Sequence, residues 1–96
     1  MVTLSQIQQQ RAGILRIAHS HGADNLRVFG SVVRGEATES SDLDLLVRFS
    51  MNTSLIDHIA LMQDLEDMLG IKVDVVNEKV LHPLIRDRVL SEVVVL

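Results

Sequence analysis

Three aspartates and one Gly-Ser pair carry the chemistry that this sequence suggests. In FGSVVRGEATESSDLDLLVRF, residues 29–49, Gly30-Ser31 is followed ten residues later by Asp42-Leu43-Asp44 at the head of an apolar run. On a strand, Asp42 and Asp44 point the same way, with Cα atoms about 7 Å apart. If Asp74 in IKVDVV faces the same side, three carboxylates converge. Each pair of charges about 4 Å apart costs roughly 4 kcal/mol at an effective dielectric near 20. Protons or a cation must relieve such a cluster, and hard oxygen donors suit Mg²⁺ or Mn²⁺, which also bind phosphate oxygens. Gly30 lacks a Cβ, so a phosphate can approach its backbone closely. Ser31 opens a helical turn whose free N–H groups favour an anion, and its hydroxyl adds a donor. Arg34, one turn on, can send a guanidinium fork to the same phosphates, or simply pair with Glu36 or Glu39. A phosphate cradle beside a divalent-metal cluster is what a nucleoside triphosphate needs.

These residues must be positioned by a small set of elements. Thr3 and Gln6 have capping-box spacing, and Leu4, Ile7, Ile14, Leu15 and Ala18 recur at helical intervals, which predicts one helix ending at Gly22. Arg11 interrupts that stripe. Leu26–Phe29 reads as a short strand running into Gly30, residues 31–35 as one helical turn, and 36–41 as a polar loop in which Ser40 and Ser41 are turn residues. Asp42–Phe49 is the strongest strand, with Leu43, Leu45, Val47 and Phe49 on one face and Asp42, Asp44, Leu46 and Arg48 on the other. Ser54 and Asp57 cap a second helix that should bury Leu55, Ile59, Met62, Leu65, Met68 and Leu69 and stop at Gly70. Met51 is expected to pack. Ile71–Val76 is a third strand, and Pro83 suits the first turn of a last helix from His82 to about Glu92. The order predicts an α/β (α+β) domain, a small mixed sheet with helices packed on it, spanning residues 1–96 as one unit.

Composition narrows the function classes. The 96 residues include no cysteine, so disulfides and thiolate metal sites are excluded. The formal net charge is −4 and the nine Lys and Arg are scattered, so no cationic cluster offers to displace counterions from extended nucleic acid. With no Trp or Tyr there is no evident platform for stacking bases. No run is long and apolar enough for a membrane span, and the N-terminus lacks a signal-peptide profile. A cytoplasmic protein is expected. The four histidines show no metal-ligand spacing and read as helix-end or surface residues. The tail Val93–Leu96 is apolar and β-prone, suited either to oligomer formation through an exposed edge or to addition as an internal strand.

The run GSVVRGEATESSDLDLLV resembles the nucleotidyltransferase signature of the DNA polymerase beta superfamily, Gly-Ser, ten residues, then Asp-x-Asp in an apolar strand. LEDMLGIKVDVV and HPLIRDRVLSEVV extend the likeness to the minimal nucleotidyltransferases over nearly the whole chain. The resemblance implies a polymerase-beta-like fold in which Gly30 and Ser31 seat the triphosphate. It also implies that Asp42 and Asp44 bridge two Mg²⁺ ions and that Asp74 helps deprotonate the attacking hydroxyl. Minimal nucleotidyltransferases are typically encoded beside small HEPN-type toxins and transfer AMP from ATP to a tyrosine of the toxin, acting as antitoxins. That is the expected activity and partner here. The competing expectations are a non-catalytic antitoxin that masks its partner by binding, and a transferase acting on a small-molecule hydroxyl. So short a chain supplies only one or two walls of a nucleotide pocket, so another subunit is expected to complete the site or present the acceptor.

Overall fold

The computed structural model describes residues 2–96. A capping box forms at Thr3, whose hydroxyl accepts from the Gln6 backbone while the Gln6 side chain accepts from Thr3 N–H. The expected single first helix is two: α1 (Leu4–Gln9) and α2 (Arg11–Ser20), separated at Gln10, whose φ of −97° and ψ of 11° leave the helical basin. A continuous helix would aim Gln10 and Arg11 at the core between Ile7 and Ile14. The break instead leaves both exposed, and the Arg11 guanidinium donates to the Leu96 carbonyl at 3.0 Å.

Strand β1 (Ala23–Phe29) enters the short helix α3 (Ser31–Arg34) through Gly30. β2 (Leu43–Phe49) follows the polar loop, in which the Thr38 N–H donates to the Ser41 hydroxyl at 2.8 Å. Helix α4 (Leu55–Leu69) begins with the expected Ser54–Asp57 capping box and stops at Gly70 in the left-handed conformation. It crosses over to β3 (Val73–Asn77), and a 3₁₀ turn (Glu78–Val80) leads to α5 (Pro83–Glu92), where His82 caps the start by accepting from Leu84 N–H. The tail becomes β4 (Val94–Val95), paired antiparallel with β1 at one edge of the sheet. The tail adds to the chain's own sheet and Leu96 is drawn into the core, while Val95 stays exposed at the edge.

The sheet order is β3-β2-β1-β4, with β2 parallel to β3 and antiparallel to β1. One face carries Val28, Leu43, Leu45, Val47, Phe49, Val73 and Val75, all buried, against Ile7, Ile14, Ala18, Leu61 and Leu65 of the helices. Each fully buried Leu or Ile contributes about 1.5–3 kcal/mol.

Helix α4 buries Leu65 and packs Met62, Met68 and Leu69 against the core as expected, but its first turns do not follow the expected stripe. Leu55 is 73% exposed and Ile59 is also exposed, whereas Leu61 and Leu65 are buried. The inward position near the helix start belongs to His58, whose Nε2 lies 2.7 Å from the Val75 carbonyl and whose ring packs on Phe49 with centroids 5.1 Å apart. The N-terminal half of this helix is apolar on several sides, so helical spacing alone does not choose the buried stripe. Met51, expected to pack, is 92% exposed.

Candidate active site

The outer face of the sheet is where the aspartates gather. Asp44 is in register with Phe29 on β1 and with Asp74 on β3, so the two carboxylates stand on adjacent strands of a parallel pair and face the same way. Asp42 lies just before β2, two residues from Asp44, exposed. Asp44 is half-buried and Asp74 exposed. The ion pairs among the described residues include none of the three.

Their mutual proximity has a measurable consequence. Burial, then the charges of Asp74 and Asp42, push the Asp44 carboxyl up from 3.8 to about 6; Arg34 offsets part of this and Glu92 adds to it. Asp44 and Asp74 thus stand in register as the parity argument expects, and the charges of Asp74 and Asp42 both reach Asp44. As they stand, no group of three or more His, Asp or Glu side chains among the described residues is drawn together closely enough to hold a metal ion, so the expected convergence of all three aspartates is not reached. The carboxylates sit side by side on an open face. The donor set nevertheless fits a hard divalent cation: every donor is a carboxylate oxygen, and a cation would relieve the crowding that raises Asp44.

Gly30 sits against this cluster. Its φ of 79° and ψ of −153° lie in a region essentially reserved for glycine. A Cβ built there would fall 2.2 Å from Asp44 Oδ2 and 3.1 Å from its Cγ. Backbone and carboxylate therefore approach as closely as they do only because residue 30 has no side chain. Ser31 is half-buried at the first position of α3, and Arg34 ends the same turn.

Arg34 is not idle. Its Nε donates to Glu36 at 3.1 Å, and its Nη1 donates to both oxygens of Glu92 at 3.1 and 3.2 Å. Glu92 also accepts from the Gly30 N–H at 3.0 Å. Burial alone would raise the Glu92 carboxyl, but the Gly30 N–H and Arg34 together outweigh it and hold the group below its ordinary range. No local pattern pointed to Glu92: it lies 62 residues from Gly30 and reads as the polar end of a surface helix.

The other polar residues are accounted for elsewhere. Arg48 forms a two-point pair with Asp24, at 2.8 and 2.9 Å, and the nearly buried Arg27 pairs with Glu78 on the outer face. His21 meets Asp64. A cleft of about 540 Å³ lies between α1, the 38–41 loop and the end of α4, against Gln6, Gln10, Thr38, Ser41, Leu69 and Ile71. None of the three aspartates lines it.

Comparison with known proteins follows the same lines. Residues 13–96 match the nucleotidyltransferase domain family. The protein adenylyltransferase MntA of Thermococcus cleftensis is 42% identical over 95 residues, which cover 98% of this chain and 96% of that protein. A solved structure assigned as a minimal nucleotidyltransferase shares the fold with a TM-score of 0.87 at 46% identity, covering 99% of this chain and 97% of that one. A complex of tri-AMPylated Shewanella oneidensis HEPN toxin with its MNT antitoxin contains a chain of the same fold, with a TM-score of 0.70 at 19% identity and coverage of 92% and 69%. A mixed sheet with aspartates in register beside a glycine-serine turn, matched by family and by structure, places this chain among the minimal nucleotidyltransferases: it belongs to the nucleotidyltransferase domain family.

Proposed function

We propose that this chain transfers AMP from ATP to a hydroxyl of a partner protein, a HEPN-type toxin modified on tyrosine, and thereby acts as its antitoxin. The observation that carries the reading is the junction of two features. Asp44 and Asp74 stand in register on one face, and Gly30, whose missing Cβ leaves room at Asp44, stands beside them. The Thermococcus cleftensis relative, itself a protein adenylyltransferase, supports a protein as the acceptor. The open face suits an acceptor brought in by a partner. All four strands share one sheet, which supports residues 1–96 as a single domain, and an ATP-dependent reaction of this kind belongs in the cytoplasm.

Gly30 N–H, the Ser31 hydroxyl and the Arg34 guanidinium would bind the triphosphate. Asp74 would take the proton of the acceptor hydroxyl, whose oxygen forms a bond to the α-phosphorus while the bond to the β-phosphate oxygen breaks and pyrophosphate leaves. Asp42, Asp44 and Asp74 would hold two Mg²⁺ ions, with Mn²⁺ as a substitute, and these supply charge neutralisation and acidification of the nucleophile when bound. Asp44 has the least solvent around it and is the carboxylate most in need of that neutralisation.

The test is incubation of the chain with α-labelled ATP, Mg²⁺ and the HEPN-type partner. Label on a partner tyrosine is expected. A partner neutralised without any label, under varied metal conditions, would replace transfer with masking by binding.

A further inference from the structure

We propose that Glu92 seats its carboxylate where a nucleotide phosphate binds, so that ATP and Glu92 compete for the same donors. The inference rests on the nucleotide-binding reading of Gly30 and Arg34. What it adds is a residue that tunes affinity from the far end of the chain.

Glu92 is the last residue of α5, and its Oε1 accepts from Gly30 N–H at 3.0 Å. Both its oxygens accept from Arg34 Nη1, at 3.2 and 3.1 Å. A backbone N–H and a guanidinium converging on one pair of anionic oxygens is the arrangement that also binds a phosphate group. Glu92 thus holds an anion at the edge of a face already carrying Asp42, Asp44 and Asp74. The two donors explain why it stays there despite that repulsion.

Little else fastens it. Within α5 only Val89 is buried, while Leu84 is 87% exposed and Ile85 and Leu90 are exposed as well. A Glu92 side chain swung out to solvent would leave the core intact. Arg34 would keep its second partner, Glu36, on Nε and free Nη1 for the incoming phosphate. Nucleotide must therefore replace the bonds to Glu92 and push away its charge, both of which weaken ATP binding in the wild type.

Opposite signs in two measurements distinguish this role from a structural one. Glu92→Gln keeps the shape but removes the charge, so its nucleotide-free melting temperature should fall while its affinity for Mg²⁺-ATP, measured by titration calorimetry, rises about tenfold, the scale of one charge-assisted hydrogen bond. Glu92→Asp, which keeps the charge but shortens the reach, should shift affinity the same way by a smaller factor. In the wild type, the ¹³C signal of the Glu92 carboxyl should move as ATP saturates the protein. Affinity that is unchanged or weaker in both variants overturns the inference and leaves the nucleotide-binding reading intact, as does an unmoved Glu92 signal at saturation. If wild type and variants alike fail to bind ATP, the nucleotide-binding reading falls and takes the inference with it.

Discussion

Replacing Gly30 with alanine separates backbone strain from damage to the carboxylate cluster. The backbone at φ 79° and ψ −153° costs a residue with a Cβ about 1–3 kcal/mol. The new methyl would also stand 2.2 Å from Asp44 Oδ2, 3.1 Å from Cγ and 3.4 Å from Cβ. Rotating the carboxylate relieves only the first contact; the tight Cγ contact requires the side chain to swing, toward Asp42 or Asp74, while the Cβ contact is ordinary packing. A displacement near 1 Å in a positioned group can cost about 10²-fold in rate. Gly30→Ala should therefore lose about 1–3 kcal/mol of stability, by urea denaturation, and about 10²-fold or more in the initial rate of AMP incorporation. Gly35→Ala is the matched control. Gly35 also has positive φ, 72°, but its added Cβ would meet nothing within 4 Å. It should lose about 1–2 kcal/mol while its rate stays near wild type. Equal rates in the two variants, both close to wild type, would refute the claim that residue 30 is glycine for the sake of Asp44.

Asp44→Asn should abolish transfer yet stabilise the fold at pH 8. A carboxyl raised from 3.8 to about 6 contributes stability that is complete below its unfolded pKa and is lost as pH rises through about 6. The shift of about two units corresponds to at most ~3 kcal/mol, which screening at this half-exposed position reduces to about 1–2 kcal/mol. The gain should be present at pH 8 and absent at pH 4, by urea denaturation at both; equal stability of the two proteins at pH 8 would contradict it. Mg²⁺ should raise the wild-type melting temperature more than that of Asp44→Asn, and chelation should reverse the rise; identical shifts would count against Asp44 as a ligand. Ser54→Ala removes the hydroxyl that accepts from Asp57 N–H and should cost about 1 kcal/mol of stability with the transfer rate unaffected.

The carboxylate face was legible in the sequence because strand alternation is a local rule: Asp42, Asp44 and Asp74 each fall on the outward parity of their strands. Their register was not, since nothing in IKVDVV states which residue of β2 will stand beside Asp74. Both capping boxes and the Gly70 stop were readable for the same reason, each being written within four residues. The break at Gln10 was partly visible in the missing apolar residue at positions 10 and 11, but QQQRAG contains no helix-breaking proline and its glycine comes only at position 13. The fate of Leu55 and Ile59 depended on His58 finding the Val75 carbonyl, a contact across 17 residues. Glu92 was invisible for a stronger version of that reason: its partners are Gly30 and Arg34, and only the pairing of β4 with β1 brings the end of α5 to them.

The most direct measurement is the intact mass of the HEPN-type partner after incubation with ATP and Mg²⁺, comparing the wild-type chain with the Asp42→Asn/Asp44→Asn double variant. The wild type should add whole adenylyl units to the partner, and the folded double variant should add none while still binding it. Adenylyl addition by the double variant at a wild-type rate would contradict the account, because the chemistry would then not depend on the carboxylates beside Gly30.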